Sequence, residues 1–380
     1  MGKSRIVILG AGYGGLAVMR RMARMSNSRD YDITVVDKSQ FHCINTRFHQ
    51  IAVSPERDIL VRLPVKALTD ISRAGFVRAE VNGLDFDAKT VETDSGNIEY
   101  DRLVVAMGGE TNFFNVRGAR AYCATMQNYE NAADCGRRIE SLGMKNARSR
   151  KRIVICGGGL IGIEFAAQLR EYYGRRKCEI VVVEKMKKII PASSCPDFLR
   201  RYAKGYLGLR DIRFINGKSI AKISDGKVTL ENGDELECDL AVWTGGLKRA
   251  EAGGLKKGSK FTVNEYLQHP DYPDVFGLGD FAVVDSKRDF ANSMTAQRAL
   301  YQADILAENI RRYENGRILR RARYKPLGEM ISLGDFDGAG IVAGIPQIGA
   351  PLAAIKKSNE AKYLAALLGN LPYYPFKAGE

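Results

Sequence analysis

Histidine is scarce in this chain, with His42, His49 and His269 the only three among 380 residues, and the seven cysteines include no CxxC pair. No His/Cys cluster has zinc-ligand spacing, which excludes a structural zinc site and a small disulfide scaffold and points to reduced thiols. No run of about 18 uninterrupted apolar residues occurs, so no segment is expected to span a membrane. The N-terminus carries no charged leader followed by a long apolar stretch and a small-residue cleavage site, from which a cytosolic setting is expected. What the chain does have is a 45% hydrophobic fraction and 39 glycines, enough for a large core in two domains and incompatible with disorder or a collagen-like repeat. Lysine and arginine exceed the acids by a net +14, which favours anionic surfaces, nucleic acid or acidic lipid, without choosing between them.

The first informative feature is a repeat. An apolar run Ile6–Leu9 leads into Gly10-Ala11-Gly12-Tyr13-Gly14-Gly15, a helical stretch from Leu16 to Met25, and a strand Ile33–Val36 that ends in Asp37. The same order returns at Ile153–Cys156, Gly157-Gly158-Gly159-Leu160-Ile161-Gly162, a helix from Ile163 to Tyr173, and Ile180–Val183 ending in Glu184. In both copies 27 residues separate the first glycine from the terminal acid. Each glycine set thus sits between a buried strand and a helix, the context a dinucleotide-binding loop requires. The first glycine (Gly10, Gly157) permits the tight turn, the second (Gly12, Gly159) lets a pyrophosphate approach the backbone, and the third (Gly15, Gly162) lets helix and strand pack closely. Asp37 and Glu184 are placed to accept hydrogen bonds from ribose hydroxyls, which favours NAD over NADP; Lys185, Lys187 and Lys188 keep NADP open. A second echo closes each unit: Asp101–Gly109 and Asp239–Gly246 are both apolar strands ending in a glycine pair, at Gly108 and Gly245, after a hairpin region turning at Ser95-Gly96 and Asn232-Gly233.

Two such units resemble the two-dinucleotide flavoprotein fold, and within it the chain is most similar to type II NADH dehydrogenases. The resemblance rests on Gln40–Ala52, Val104–Phe114, Gly162-Ile163-Glu164-Phe165-Ala166, Val242–Gly246, Val275-Phe276-Gly277-Leu278-Gly279-Asp280 and Thr295–Gln302, and so covers most of the chain. It implies an α/β protein of two Rossmann-like domains. An FAD-binding one is expected at 1–112 and 250–325, an NAD(H)-binding one inserted at 113–249, and a flavin-covering, membrane-associating segment at 326–380. It implies FAD and NADH as cofactors, hydride transfer from NADH to flavin, and two electrons passed to a membrane quinone without ion pumping. Peripheral attachment to the cytoplasmic face of the cell membrane is expected, with a homodimer left open and no nucleic-acid partner.

The resemblance also assigns residues. Asp280 stands where the family's second flavin motif places an Asp on the ribityl chain; an N-cap is the plainer alternative. Glu164 is implied near the isoalloxazine, positioning nicotinamide or relaying protons, although a carboxylate in a helix's first turn is favourable by dipole alone. Gln297 is implied at a quinone carbonyl, with Tyr301 and Gln302 as further quinone-site candidates. Tyr301 departs from the family's AQxAxQ pattern, which has glutamine there. Cys43 stands alone after the first acid, and buried cysteine is ordinarily a small hydrophobe. No cysteine follows Cys238, which disfavours the alternative of a sulfide:quinone oxidoreductase. The other alternative is a non-catalytic NADH- and flavin-binding protein. For the tail, Tyr363, Leu364, Leu367, Leu368 and Leu371 share one helix face, followed by Pro372-Tyr373-Tyr374-Pro375-Phe376 and flanked by Lys356, Lys357, Lys362 and Lys377. This is expected as an interfacial anchor, with core packing as the competing reading. A basic run from Arg311 and Arg312 through Arg317, Arg320, Arg321, Arg323 and Lys325, opposed by Glu314, is expected to add attraction to anionic lipid.

Overall fold

Strands Ser4–Leu9 and Lys151–Cys156 end in runs of four fully buried residues rather than alternating ones, as strands of a sheet covered on both faces must. Each lies at the centre of a five-stranded, all-parallel sheet. The computed structural model describes residues 2–25, 31–57, 61–144, 149–191, 195–250, 253, 260–286, 292–326 and 328–369. The first sheet has the order Val275–Gly277, Arg102–Val105, Ser4–Leu9, Tyr31–Asp37, Gly75–Arg78. The second has the order Cys123–Ala124, Leu240–Trp243, Lys151–Cys156, Cys178–Glu184, Ile212–Asn216. In each, the glycine loop leaves the central strand at the switch point of the strand order, where open α/β sheets bind ligands. The expected hairpins are three-stranded antiparallel meanders, Val81–Asp85/Thr90–Thr93/Gly96–Glu99 and Ile220–Ser224/Lys227–Leu230/Glu235–Glu237.

The chain leaves the first sheet after Val105 and re-enters it at Val275, so the second sheet is an insertion. Both crossings run through one antiparallel pair, Gly109–Thr111 with Leu247–Arg249. Separate apolar cores form around Ile8, Leu16, Val104 and Phe276 in the first unit and around Ile155, Phe165, Val182 and Val242 in the second.

The residues after 328 form a three-stranded meander, Met330–Ser332/Gly338–Val342/Ile345–Ile348, and then the helix Ala350–Leu368. This segment bridges the units: Tyr363 and Leu367 join the first core, whereas Ile331, Leu333 and Ala339 join the second. The tail face expected as an anchor is therefore largely spent on protein. Tyr363 and Leu367 are buried and Leu364 packs beside them, because the helix lies on the first unit; Leu368 alone is exposed, at 50%. Leu371, the aromatic stretch to Phe376 and Lys377 lie outside the described residues. The basic run is likewise less free than its local sequence indicates. Glu308 pairs with both Arg312 (2.7 Å) and Arg320 (2.5 Å), and Glu265 pairs with Arg321 (3.5 Å). Among the described residues no helix is long and apolar enough to cross a membrane.

Candidate functional site

The two loops are built alike. Asp37 Oδ2 accepts from the Ala11 N–H at 2.6 Å and its Oδ1 from Ser39 N–H at 2.7 Å; Glu184 Oε2 accepts from Gly158 N–H at 2.7 Å and its Oε1 from Met186 N–H at 2.8 Å. Each acid thus braces the loop one residue after its first glycine and keeps further lone pairs on both oxygens for a ligand. Burial raises the Asp37 carboxyl above its ordinary value, against the opposing pull of Ala11, Ser39 and Lys38. Gly10 and Gly157 have φ of +102° and +125°, conformations open to glycine and strained for other residues. At Gly15 and Gly162 a side chain would strike the carbonyl of the first glycine of its own loop. At Gly12 and Gly159, by contrast, a Cβ would meet nothing within 4 Å.

That open space is where a pyrophosphate fits, and the helix behind it agrees. The helix Leu160–Lys177 starts on Gly159 with no side-chain cap, whereas Tyr129–Ser141 is capped by Asn128 and Ala296–Glu314 by Thr295. Its first-turn N–H groups are left for an anion. The closing glycines flank the loops: Gly108 has φ +73° and open space where a Cβ would stand, and Gly245 lies against the Trp243 ring.

Asp280 follows the Val275–Gly277 strand and is half-buried. Burial raises its carboxyl, with Arg298 and Arg249 opposing the shift. Arg298 is fully buried and donates to Gly279 O at 2.7 Å; burial lowers its guanidinium to about 10, offset in part by Asp280. Gln302 is buried too, and its Oε1 accepts from Gly279 N–H at 2.9 Å, so this amide braces the Asp280 turn from inside the core instead of facing a quinone. Gln297 sits in the first turn of Ala296–Glu314, its Oε1 accepting from Tyr324 OH at 2.6 Å, and Tyr301 packs on Tyr324 with ring centroids 5.6 Å apart. Gln297 and Tyr301 are thus brought together around Tyr324, and Gln302 is turned away from them.

Glu164 is buried in the first turns of its helix, ion-paired with Lys356 of the C-terminal helix, 2.9 Å from the Ser332 N–H that it accepts, and 3.9 Å from His49 Nδ1. Burial works to raise its carboxyl, but Lys356, His49 and the hydrogen bonds from Lys356 and Ser332 outweigh it and hold the group below the ordinary carboxylate range. A proton relay at neutral pH needs the opposite shift, so Glu164 as placed here is an anion held by Lys356. Glu360, Thr46 and Arg47 complete this cluster, with Thr46 Oγ1 donating to Glu360 at 3.2 Å. Neither Lys356 nor His49 is legible in the sequence as a partner of Glu164, because each is remote along the chain.

His42 links the first loop to the same helix. It is buried, its Nδ1 2.9 Å from Ala11 O and its Nε2 2.9 Å from Tyr363 OH, so the neutral ring donates to the loop and accepts from the tyrosine. Burial lowers both His42 and His49 to about 4. Folded values below the unfolded one mean that their stabilising contribution is full above pH 6.5 and is lost as pH falls towards 4. The loss is about 1.4 kcal/mol per pH unit for each histidine. Thermal unfolding from pH 7 to 4.5 should show this slope, and His42→Gln should remove one histidine's share of it.

Two parallel sheets, each with a glycine loop at its switch point and a loop-bracing acid on the next strand, define a protein that holds two dinucleotides. The family model "pyridine nucleotide-disulphide oxidoreductase" matches residues 4–303, and the chain belongs to that family. It is similar to the type II NADH:quinone oxidoreductases of Staphylococcus haemolyticus and Staphylococcus aureus, 29% identical to each over 379 residues, covering 93% of this chain and 94% of either relative. Among solved structures, NDH2 from Plasmodium falciparum in complex with NADH superposes with a TM-score of 0.81 at 14% identity, over 95% of this chain and 94% of that one. The sulfide:quinone oxidoreductase of Aquifex aeolicus gives 0.80 at 19% identity, over 96% and 91%. At these identities the two structures speak for the fold alone.

Proposed function

We propose that the chain is a flavin-dependent NADH:quinone oxidoreductase of the non-pumping type, acting at a membrane surface. The observation that carries this is the pair of intact, braced dinucleotide loops in a chain whose matched relatives bear that name over nearly their full length. The first unit, through Gly10, Gly12, Gly15, Asp37, Gly108 and Asp280, holds FAD; the second, through Gly157, Gly159, Gly162, Glu184 and Gly245, holds NADH. Bound together they supply a hydride donor and a two-electron acceptor. The protein's part is alignment: His42 and Tyr363 tie the flavin loop to the C-terminal helix, and Lys356 ties that helix to Glu164 at the start of the NADH helix. Glu164, held as an anion by Lys356, positions the nicotinamide, and Gln297 with Tyr301 orients a quinone carbonyl.

Burial of most thiols disfavours a competing route for electrons through them. Among the seven free cysteines only Cys43 is not buried, and burial raises the thiols of Cys135, Cys178, Cys195 and Cys238. Exposed Ile345 and Ile348 on the C-terminal meander, with Leu368, support contact with the bilayer surface. Anaerobic stopped-flow at the flavin band tests the function: NADH should bleach the flavin rapidly and a soluble quinone should restore it. Slow bleaching with NADH would leave a binding protein, and thiol-sensitive bleaching with sulfide would favour the sulfide enzyme.

A further inference from the structure

We propose that the cavity between the helices Leu160–Lys177 and Asp197–Gly208 and the 332–338 turn is a binding site for a small phosphate monoester carried on a flat apolar body. It lies at the far end of the NADH helix from the glycine loop, where that helix breaks at Gly174 (φ 70°), and it is distinct from both dinucleotide loops. Its volume is about 430 Å³, within the range of small-molecule sites.

Three guanidiniums line it, and among the described residues none of them forms an ion pair. Arg170 is 4% exposed and donates only to backbone carbonyls, to Gly174 and Cys178 through Nη1 and to Asp211 through Nη2, while its buried Nε has no partner. Arg175 donates to the Leu209 carbonyl. Arg210 lies over the Tyr206 ring, 3.4 Å from its centroid, and its one recorded hydrogen bond is from Nη1 to Tyr206 O at 3.3 Å. Two carboxylates share the wall, each tied to the protein through one oxygen. Glu171 Oε2 accepts from Asp335 N–H at 2.7 Å, and Asp337 Oδ1 accepts from Tyr202 OH at 3.0 Å and from Gly338 N–H at 2.7 Å. Three arginines against two carboxylates leave the wall net positive.

Unpaired arginines in a cleft are the side chains that recognise oxyanions bidentately, and one guanidinium suffices for a carboxylate. Arg175 and Arg210 keep further N–H groups for the oxygens of a phosphate monoester, and Arg170, committed to backbone carbonyls, adds its positive charge from behind. The apolar part is supplied by Tyr206, whose ring is fixed by the arginine lying over it, and by Phe336, which is 72% exposed on the turn opposite. A ligand here would be felt at the NADH site, because the turn is laced to the helix at three successive positions: Ser332 N–H to Glu164, Gln168 to Asp335, and Asp335 N–H to Glu171. Binding that draws the turn towards the helix changes the Glu164 hydrogen bond and, reciprocally, NADH binding changes the affinity for the ester.

Calorimetric titration of the flavin-loaded protein, saturated with NAD⁺ to close the dinucleotide loop, tests this with phenyl phosphate, inorganic phosphate and benzoate as probes. Phenyl phosphate should bind saturably, one per chain, and more tightly than either comparator. Arg210→Met should weaken it about tenfold or more, by loss of a charged hydrogen-bond donor, with the flavin spectrum unchanged. Phe336→Ala should bring phenyl phosphate down towards inorganic phosphate. Arg175→Met, at an exposed side chain, is the second variant should Arg210→Met fold poorly. Absence of saturable heat, equal affinity for benzoate, or titrations indifferent to both arginine substitutions would overturn the proposal.

Discussion

Gly159→Val is expected to give a folded, yellow protein that NADH reduces poorly. The backbone at Gly159 is extended (φ −71°, ψ −177°), which a β-branched residue adopts freely, and a side chain there meets nothing in the protein within 4 Å. What it fills is the space left for the pyrophosphate at the uncapped helix start. The Michaelis constant for NADH should rise by about 100-fold, equivalent to about 2.7 kcal/mol of binding, with flavin content unchanged. Gly12→Val should do the reverse and yield a colourless protein, since the same open space exists in the first loop. Flavin loss from the Gly159 variant with retention in the Gly12 variant would exchange the two loop assignments. Glu184→Ala would act on the same side as Gly159 but through a different fault, because it withdraws the brace on Gly158 along with the ribose acceptor.

Lys356→Met should destabilise the fold more than any surface lysine change. It strands Glu164, whose side chain is 11% exposed, without its cation, and breaking a buried pair from one side costs about 3–5 kcal/mol. The double variant Glu164→Gln/Lys356→Met should recover much of that loss, which separates an unpaired charge from a simple packing defect. The pH dependence adds a second readout. Glu164's folded value lies below the unfolded one, so its contribution is present above the ordinary carboxylate range and is lost as pH falls through the folded value. With Lys356 removed, burial raises the Glu164 carboxyl, so protonation relieves the stranded charge and the variant's deficit should shrink as pH falls, which thermal unfolding across pH 4 to 8 would record. An unfolding profile that is unchanged in the single variant would dismiss the pair as a structural tie between the units.

The two loops are legible in the sequence because turn, helix start and terminal acid fall within one strand–helix–strand unit, and Gly15 and Gly162 are crowded first by the opening glycine of their own loop. The crowding of Gly10 by Ala106 and of Gly157 by Thr244 and Gly245 comes from far along the chain and is not legible. What surrounds the loops is not legible. His42 meets Tyr363 across 321 positions and Glu164 meets Lys356 across 192, and no spacing rule links residues so far apart. The tail departs from expectation for a related reason. An apolar helix face has the same periodicity whether it meets lipid or protein, and only the placement of Ala350–Leu368 on the first unit shows that Tyr363 and Leu367 are enclosed. The basic run, read from Arg311 onward, omits Glu308, which lies one helical turn before Arg312 and is the partner of two of its arginines. Gln302 illustrates the cost of a one-residue offset on a helix, since a rotation of about 100° takes its amide from the Tyr301 side into the core.

The antiparallel pair Gly109–Thr111/Leu247–Arg249 makes the inserted unit a cassette whose two seams lie side by side. Joining the two seams through a short turn would close the first sheet with little added loop-closure entropy. It would also bare Phe48, Ile51, Ile331 and Leu333, which pack into the inserted unit's core from outside it, so a transplanted unit must match those side chains as well as the seams.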